Sequence, residues 1–457
     1  MMEPGLSPAF AYPKPAAHRE RLVPILTNNL LLPDGVLPIP SSAGPHHQHP
    51  RSKPEPQYFM GRPVHPAYHY KRTRRYAGDD SIPYPLPCDQ QEVNRQNLVH
   101  HIFHEVFGTH HAAEFPQPDD IPANVLDIGC GSGLWIASMA DEFAARGRPD
   151  VRFTGLDIVR NHPDMPGVNF RFVKHNILNL PLPFAAGEFD YIMVREMTLC
   201  YPQDRNPEAL LEEYLRILKV GGTLEVQCSD HTIRCLAPPS IPPSSRSGAY
   251  PLTASTRFNA TPVNPYIQEY NRYISYFLGT LQLDTAPCTN VQSALLMEAK
   301  SMGNVRHRRY ALPLDNPTWE GRPSASQPVT GMLENRSLTS LISTTEPRKS
   351  TESSKSAPQS TTAPDAEARS VGSESSTSIK GAGIIVSDDA QALRVLARQT
   401  FTSMIRNLEP VLRQANRIPQ EDWDWWFRDL MLNFHQNKGL TSGECLEIGA
   451  WWGVKKG

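Results

Sequence analysis

The stretch that decides the fold is VLDIGCGSGLW, Val125 to Trp135. Val125, Leu126 and Ile128 make an apolar run of strand length, Gly129, Gly131 and Gly133 follow, and Leu134 opens an amphipathic pattern, LWIASMADEFAARG. That is a strand, a tight turn and a helix. Glycines remove the Cβ atoms that would hold a ligand off the backbone. The helix N-terminus offers free N–H groups at the carboxyl end of the strands, where open α/β sheets bind ligands. Spacing narrows the choice of ligand. A dinucleotide fingerprint, G-x-G-x-x-G, needs glycine where Leu134 stands, and Asp127 lies two residues before the first glycine. The pattern is D-x-G-x-G-x-G. Asp127 would repel a pyrophosphate and attract a ligand that carries an ammonium group. Cys130 is an x position of the turn and reads as small filler, because no base is evident beside it to activate a nucleophile.

Working outward, strands and helical patterns alternate between Asn124 and Val226: VRFTGLDI, FDYIMVRE, PEALLEEYLRILKVGG, TLEVQC. Such alternation implies βαβ units and a parallel sheet with helices on both faces. Ahead of it, Asp89 and Glu92 form a capping box, and Val93, Leu98, Ile102, Phe103, Val106 and Phe107 predict a helix over about 90–107. A Pro- and Ser-rich stretch over 236–264 reads as a loop insertion. Helices follow near Pro265 and over Val291 to Lys300, then a strand at VRHRRYALPL. After residue 387 come two amphipathic helices, Leu393 to Leu408 and Trp423 to Phe434, whose aromatic stripe is expected to face the core. GECLEIGAWWGVKKG predicts a last strand, with Trp451 and Trp452 on opposite faces, one buried and one near the sheet edge.

Composition marks what lies outside this plan. The chain has 457 residues, of which 44 are proline, and its hydrophobic content of 39% is low for a wholly folded chain. Residues 1–82, rich in Pro, His and basic side chains, and the Ser/Thr/Pro-rich residues 322–386 lack the apolar surface to offset ordering entropy and are expected to be disordered. The folded part is then 84–321, with a ligand-binding core over 121–230, continued by 387–457. The basic run YKRTRR, Tyr70 to Arg75, reads as solvated coil in preference to a nuclear-import or phosphate-contacting patch. Lys and Arg total 45 against 47 for Asp and Glu, so no basic field favours nucleic acid. Seven scattered cysteines fit neither a disulfide framework nor a zinc cluster and point to a reducing compartment. His100 and His104 share a helix face at i, i+4, but without a Cys or carboxylate partner pattern they read as exposed or capping, and no metal site is expected. With no secretory pattern at the start and no long apolar stretch, an intracellular protein off the membrane is expected, nucleus or cytoplasm left open.

In order, these motifs resemble the class I S-adenosylmethionine-dependent methyltransferases, and YPLPCDQQEVNRQ and GLWIASMADEF resemble their fungal LaeA-like (TAM/UMTA-type) members. The resemblance covers roughly 84–235 well and 265–315 and 388–457 loosely. It implies a Rossmann-like α/β fold with a seven-stranded mixed sheet whose final strand is antiparallel. It also implies a cofactor, S-adenosyl-L-methionine, held by Asp127, Gly129, Cys130, Gly131 and Gly133 at the turn. Asp157 would take the ribose hydroxyls, with Ile158 on the adenine. Asn176 stands where the family often has an Asp that accepts from the adenine amino group, with Ile177 beside it, and Arg195 lies by the methionine half. Val220 departs from the family's usual proline before the glycine pair. Tyr84 and Arg95 are candidates for a lid. The implied activity is methyl transfer to an unidentified acceptor, a protein or a secondary metabolite, possible velvet-type regulatory partners, and a role in secondary metabolism or development. The alternative is a cofactor-binding regulatory scaffold with little or no turnover. No catalytic residue is assigned; Glu196, Tyr201 and His231 lie at strand ends where a base could act.

Overall fold

The computed structural model describes residues 68–71, 73–78, 82–259, 261–298, 300–320, 386–436 and 439–457. In chain order the elements are β1 (Tyr68–Lys71), β2 (Arg74–Ala77), α1 (Gln90–Phe107), β3 (Asn124–Ile128), α2 (Leu134–Ala145), β4 (Arg152–Asp157), β5 (Phe170–Lys174), β6 (Phe189–Arg195), α3 (Pro207–Ile217) and β7 (Leu218–Ser229). Then come β8 (Arg234–Leu236), β9 (Tyr250–Pro251), β10 (Phe258–Asn259), α4 (Pro265–Thr280), α5 (Val291–Met297), β11 (Met302–Pro313), α6 (Asp388–Asn416), α7 (Gln420–Gln436) and β12 (Glu444–Lys455).

Seven long strands run in the order β5, β4, β3, β6, β7, β12, β11. The first five are mutually parallel, and β12 is antiparallel to both β7 and β11. This is the expected Rossmann-like mixed sheet with an antiparallel final strand. The short strands β8, β9 and β10 extend it to ten, so the segment read as a loop insertion over 236–264 also supplies sheet edge.

Alternation along each strand fills two cores. Val125, Tyr191, Met193, Ile448 and Trp452 face one, with α1, α2, α4, α6 and α7 packed on it. Leu126, Ile128, Ile192, Val194 and Trp451 face the other, against α3 and α5. The strands are apolar on both sides because both sides are covered. Trp451 and Trp452 do point to opposite faces, yet both are buried, 0% and 6% exposed, since β11 extends the sheet beyond β12. The stripe Trp423, Trp426, Leu430 and Phe434 is core, as its spacing predicts.

Two expectations need correction. Residues 68–77 were expected to lack order, but β1 and β2 form a hairpin, and Arg74 and Arg75 of the basic run are not solvated coil. Arg74 pairs with Asp89 at 2.5 Å and donates to Asn407 at 2.9 Å, while Arg75 donates to the Cys88 carbonyl. The stabilising partners lie up to 333 residues away, beyond the reach of local periodicity. Residues 1–67, 72, 79–81 and 321–385 lie outside the described residues. The capping box is half made. Asp89 accepts from the Glu92 N–H, but Glu92 turns inward, where Arg95 donates to both its oxygens at 2.6 and 2.9 Å and Asn407 donates at 2.6 Å. A buried carboxylate takes the charged partners in preference to an exposed cap. Among the described residues no helix is long and apolar enough to cross a membrane.

Candidate functional site

The glycine turn after β3 is held to β4 by three bonds. Gly129 and Cys130 N–H donate to the Leu156 carbonyl at 2.8 and 3.2 Å, and Gly131 N–H donates to Asp157 Oδ2 at 2.8 Å. Gly129 and Gly131 have φ of +71° and +50°, a region that costs a side chain about 1–2 kcal/mol. A Cβ on Gly129 would collide with Met197 Sδ, and one on Gly131 would lie 2.6 Å from Gln96 Oε1. The turn is therefore a cradle over which α1 and the segment after β6 can close.

A single cavity runs along the carboxyl ends of β3, β4 and β6. Of the predicted residues, Gly129, Cys130 and Gly131 form its floor, Asp157, Ile158, Asn176 and Ile177 one end, and Arg195 the other. Asp127 and Gly133 are not on its wall. Asp127 is buried behind the turn, so its influence on a ligand is through its field, and Gly133 caps α2 in the left-handed conformation. Tyr84 and Arg95, read as lid residues, do line the cavity. Gln96, Met197, Leu199, Cys200 and Met404 were not foreseen. Gln96 could have been found, since Glu92, Gln96 and His100 recur at i, i+4, i+8; Met404 arrives on α6 and only the tertiary fold places it.

Burial governs the electrostatics. It pushes the Asp127 carboxyl up to about 7, partly opposed by the Arg195 cation. Burial raises Asp157 as well, against the pull of its bonds from the Gly131, Val159 and Ile158 N–H groups. Asn176 Oδ1 accepts from the Leu178 N–H at 3.0 Å, so its oxygen is presented with one lone pair still available. Cys130 is buried with its thiol raised by desolvation, which agrees with filler and not with a nucleophile.

The candidate bases separate. Tyr201 is not on the cavity wall; its hydroxyl donates to the Arg205 and Asn206 carbonyls. Glu196 lines the cavity, but Ser229 holds it, with Oγ at 3.0 and 2.9 Å from the two carboxylate oxygens. His231 also lines the cavity, its Nε2 2.9 Å from Thr198 Oγ1, and burial lowers it to about 4, so the ring is neutral near pH 7.

His100 is buried and His104 half-buried, so neither is exposed. His100 and His104 stack on His110 with ring centroids 5.3 and 4.2 Å apart, and His100 Nδ1 accepts from Arg195 Nη1 at 2.9 Å. The reason is the segment after α1, which Glu225 pins down by accepting from Ala112 and Ala113 N–H at 2.7 and 2.8 Å and from Tyr191 Oη at 2.9 Å. Among the described residues one cluster has metal-ligand spacing: Asp230, Cys288 and Glu447, with ligand atoms within 4.8 Å of one another. Arg234 sits 2.9 Å from Asp230 and 3.2 Å from Glu447, and Arg309 also pairs with Glu447, so two guanidinium groups already supply the positive charge.

Known proteins align with this core. Residues 125–222 match the family model described as a methyltransferase domain. The chain is 26% identical over 179 residues to the secondary metabolism regulator LAE1 of Cochliobolus heterostrophus, which covers 37% of this chain and 56% of that one. It is 31% identical over 156 residues to the secondary metabolism regulator laeA of Coprinopsis cinerea, covering 33% and 36%. To the protein-methionine methyltransferase laeA of Emericella nidulans it is 27% identical over 133 residues, covering 29% and 33%. The matched region thus spans about a third to just over half of these relatives. The glycine turn, the strand order that presents it and these matches together make the core of this chain similar to that of the LaeA-like class I methyltransferases.

Proposed function

We propose that the chain is an S-adenosyl-L-methionine-dependent methyltransferase. The observation that carries this is the cradle: two left-handed glycines beneath a cavity that has a carboxylate, Asp157, at one end and a cation, Arg195, at the other. Asp157 and Asn176 would hold the nucleoside. Arg195 would take the amino-acid carboxylate, and Asp127, uncomfortable as a buried anion, would favour the nearby ammonium through its field. When bound, the sulfonium supplies a methyl group that is already electrophilic, so the chain's share of catalysis is alignment and exclusion of water. Tyr84, Arg95 and Met404 close the cavity to that end.

The acceptor reading follows from the bases. Glu196 accepts from the Ser229 N–H and hydroxyl and His231 Nε2 is paired with Thr198 Oγ1, so an acceptor that brings its own lone pair and loses no proton to a base fits the cavity without disturbing either contact. A thioether is such a group, and it is the acceptor named for the Emericella nidulans relative. The test is transfer of tritiated methyl from the cofactor to proteome and metabolite extracts by the full chain. A labelled product is expected, lost in Gly131→Ala and Asp157→Asn. Calorimetry that detects no binding of S-adenosylhomocysteine would overturn the proposal.

A second reading is a cofactor-binding regulatory scaffold with little or no turnover, with velvet-type regulators as its partners; the regulator names of the first two relatives favour it. A biological effect that persists in the Gly131→Ala protein after its methyl transfer is lost would support the scaffold.

A further inference from the structure

The polar face of α1 carries Glu92, Gln96 and His100 one turn apart, and two of these bear on the cavity in a way the glycine motif does not account for. Gln96 Oε1 is buried with no hydrogen-bond partner, and it points at the glycine turn, 2.6 Å from where a Cβ on Gly131 would stand. Its orientation is set by Glu92: Gln96 Nε2 donates to Glu92 Oε1 at 3.3 Å, and the reverse rotamer would set two oxygens against each other. A buried acceptor without a donor is costly, so an orphan at a cavity wall marks where a ligand's donor belongs.

His100 acts one turn further on. Ser138 Oγ donates to the Leu134 carbonyl at 2.9 Å, so its oxygen accepts from His100 Nε2 at 3.2 Å. The ring is therefore the neutral tautomer with its proton on Nε2, and its Nδ1 lone pair receives Arg195 Nη1 at 2.9 Å. Burial and the facing Arg195 cation keep this imidazole from protonating. The bond fixes Arg195 at the cavity end opposite Asp157.

Resting on the cofactor reading above, we infer that α1 reads the amino-acid end of the nucleoside: Gln96 Oε1 accepts directly from its ammonium group, and His100 is a positioning residue that holds Arg195 for its carboxylate. Helix α1 is then a specificity element for nucleosides with an α-amino-acid tail, beyond any service as a cover.

The test is calorimetry on the full chain with two ligands, S-adenosylhomocysteine and 5′-methylthioadenosine, which keeps the adenosine and the sulfur but lacks the amino-acid end. Gln96→Met, close in shape and without the acceptor, is expected to weaken S-adenosylhomocysteine about tenfold to a hundredfold and to leave methylthioadenosine within about twofold. His100→Ala should show the same split. His100→Asn, whose Oδ1 can stand in for Nδ1, should recover most of the loss, which also guards against a fold defect in the alanine variant. Equal weakening of both ligands would reduce α1 to a cover and overturn the inference, as would unchanged binding of S-adenosylhomocysteine in both Gln96→Met and His100→Ala. Wild-type protein that binds neither ligand would instead overturn the cofactor reading itself.

Discussion

Asp127→Asn isolates the buried charge behind the glycine turn. Asp127 is 4% exposed, and burial pushes its carboxyl up to about 7, with Arg195 opposing in part. In an unfolded chain the same group titrates near about 3.9. The folded state therefore binds the proton more tightly, and the stability linked to it is whole below about pH 4 and lost as pH rises through about 7. At about 1.4 kcal/mol for each factor of ten, that loss amounts to about 4 kcal/mol. Asparagine has the same shape and does not titrate. Urea denaturation of both proteins at pH 4, 5, 6, 7 and 8 should show the wild type falling behind the variant progressively and reaching a constant deficit above pH 7. Other raised acids, such as Asp230 at about 6, titrate alike in both proteins and cancel in the difference. Binding should move the opposite way: at pH 8 the variant should hold S-adenosylhomocysteine less tightly, having lost the field that attracts the ammonium. A stability difference that stays flat across this range would refute the reasoning.

Gly131→Ala forces a side chain to φ +50° and pushes its methyl against Gln96 Oε1, so calorimetry should find S-adenosylhomocysteine binding lost, with a stability cost of about 1–2 kcal/mol. Glu225→Ala leaves the Ala112 and Ala113 N–H groups and the Tyr191 hydroxyl without their buried acceptor. At about 1–3 kcal/mol each, the urea midpoint should fall sharply. Arg394→Met removes the guanidinium that donates to both Glu320 oxygens at 2.7 Å and to the Gly248 carbonyl at 2.8 Å. The stranded buried carboxylate should cost about 3–5 kcal/mol by the same assay, with Glu320→Gln in the same background recovering part of it.

What could be read from the sequence was whatever is encoded over a few neighbouring residues. The strand at Val125, the three left-handed glycines, Asp157 at the end of the next strand and the helix over 90–107 follow from period, spacing and backbone freedom. Each of those depends on the residue's own conformational limits. The floor of the cavity was thus legible, its Asp157 and Asn176 end was implied by the family resemblance, and the fold followed because alternating βαβ patterns leave few topologies. The roof was not. Arg74 finding Asn407, Met404 reaching the cavity on α6, Glu225 pinning Ala112 and Ala113 so that His110 stacks on His100, and Glu92 abandoning its cap for Arg95 are contacts between distant parts of the chain. Glu196 stands at a strand end where a base could act, and only the fold sets Ser229 against its carboxylate. Sequence spacing carries the local backbone; which buried charge meets which partner is decided only when the chain has closed, because desolvation makes each such group dependent on whatever the fold brings within hydrogen-bond reach.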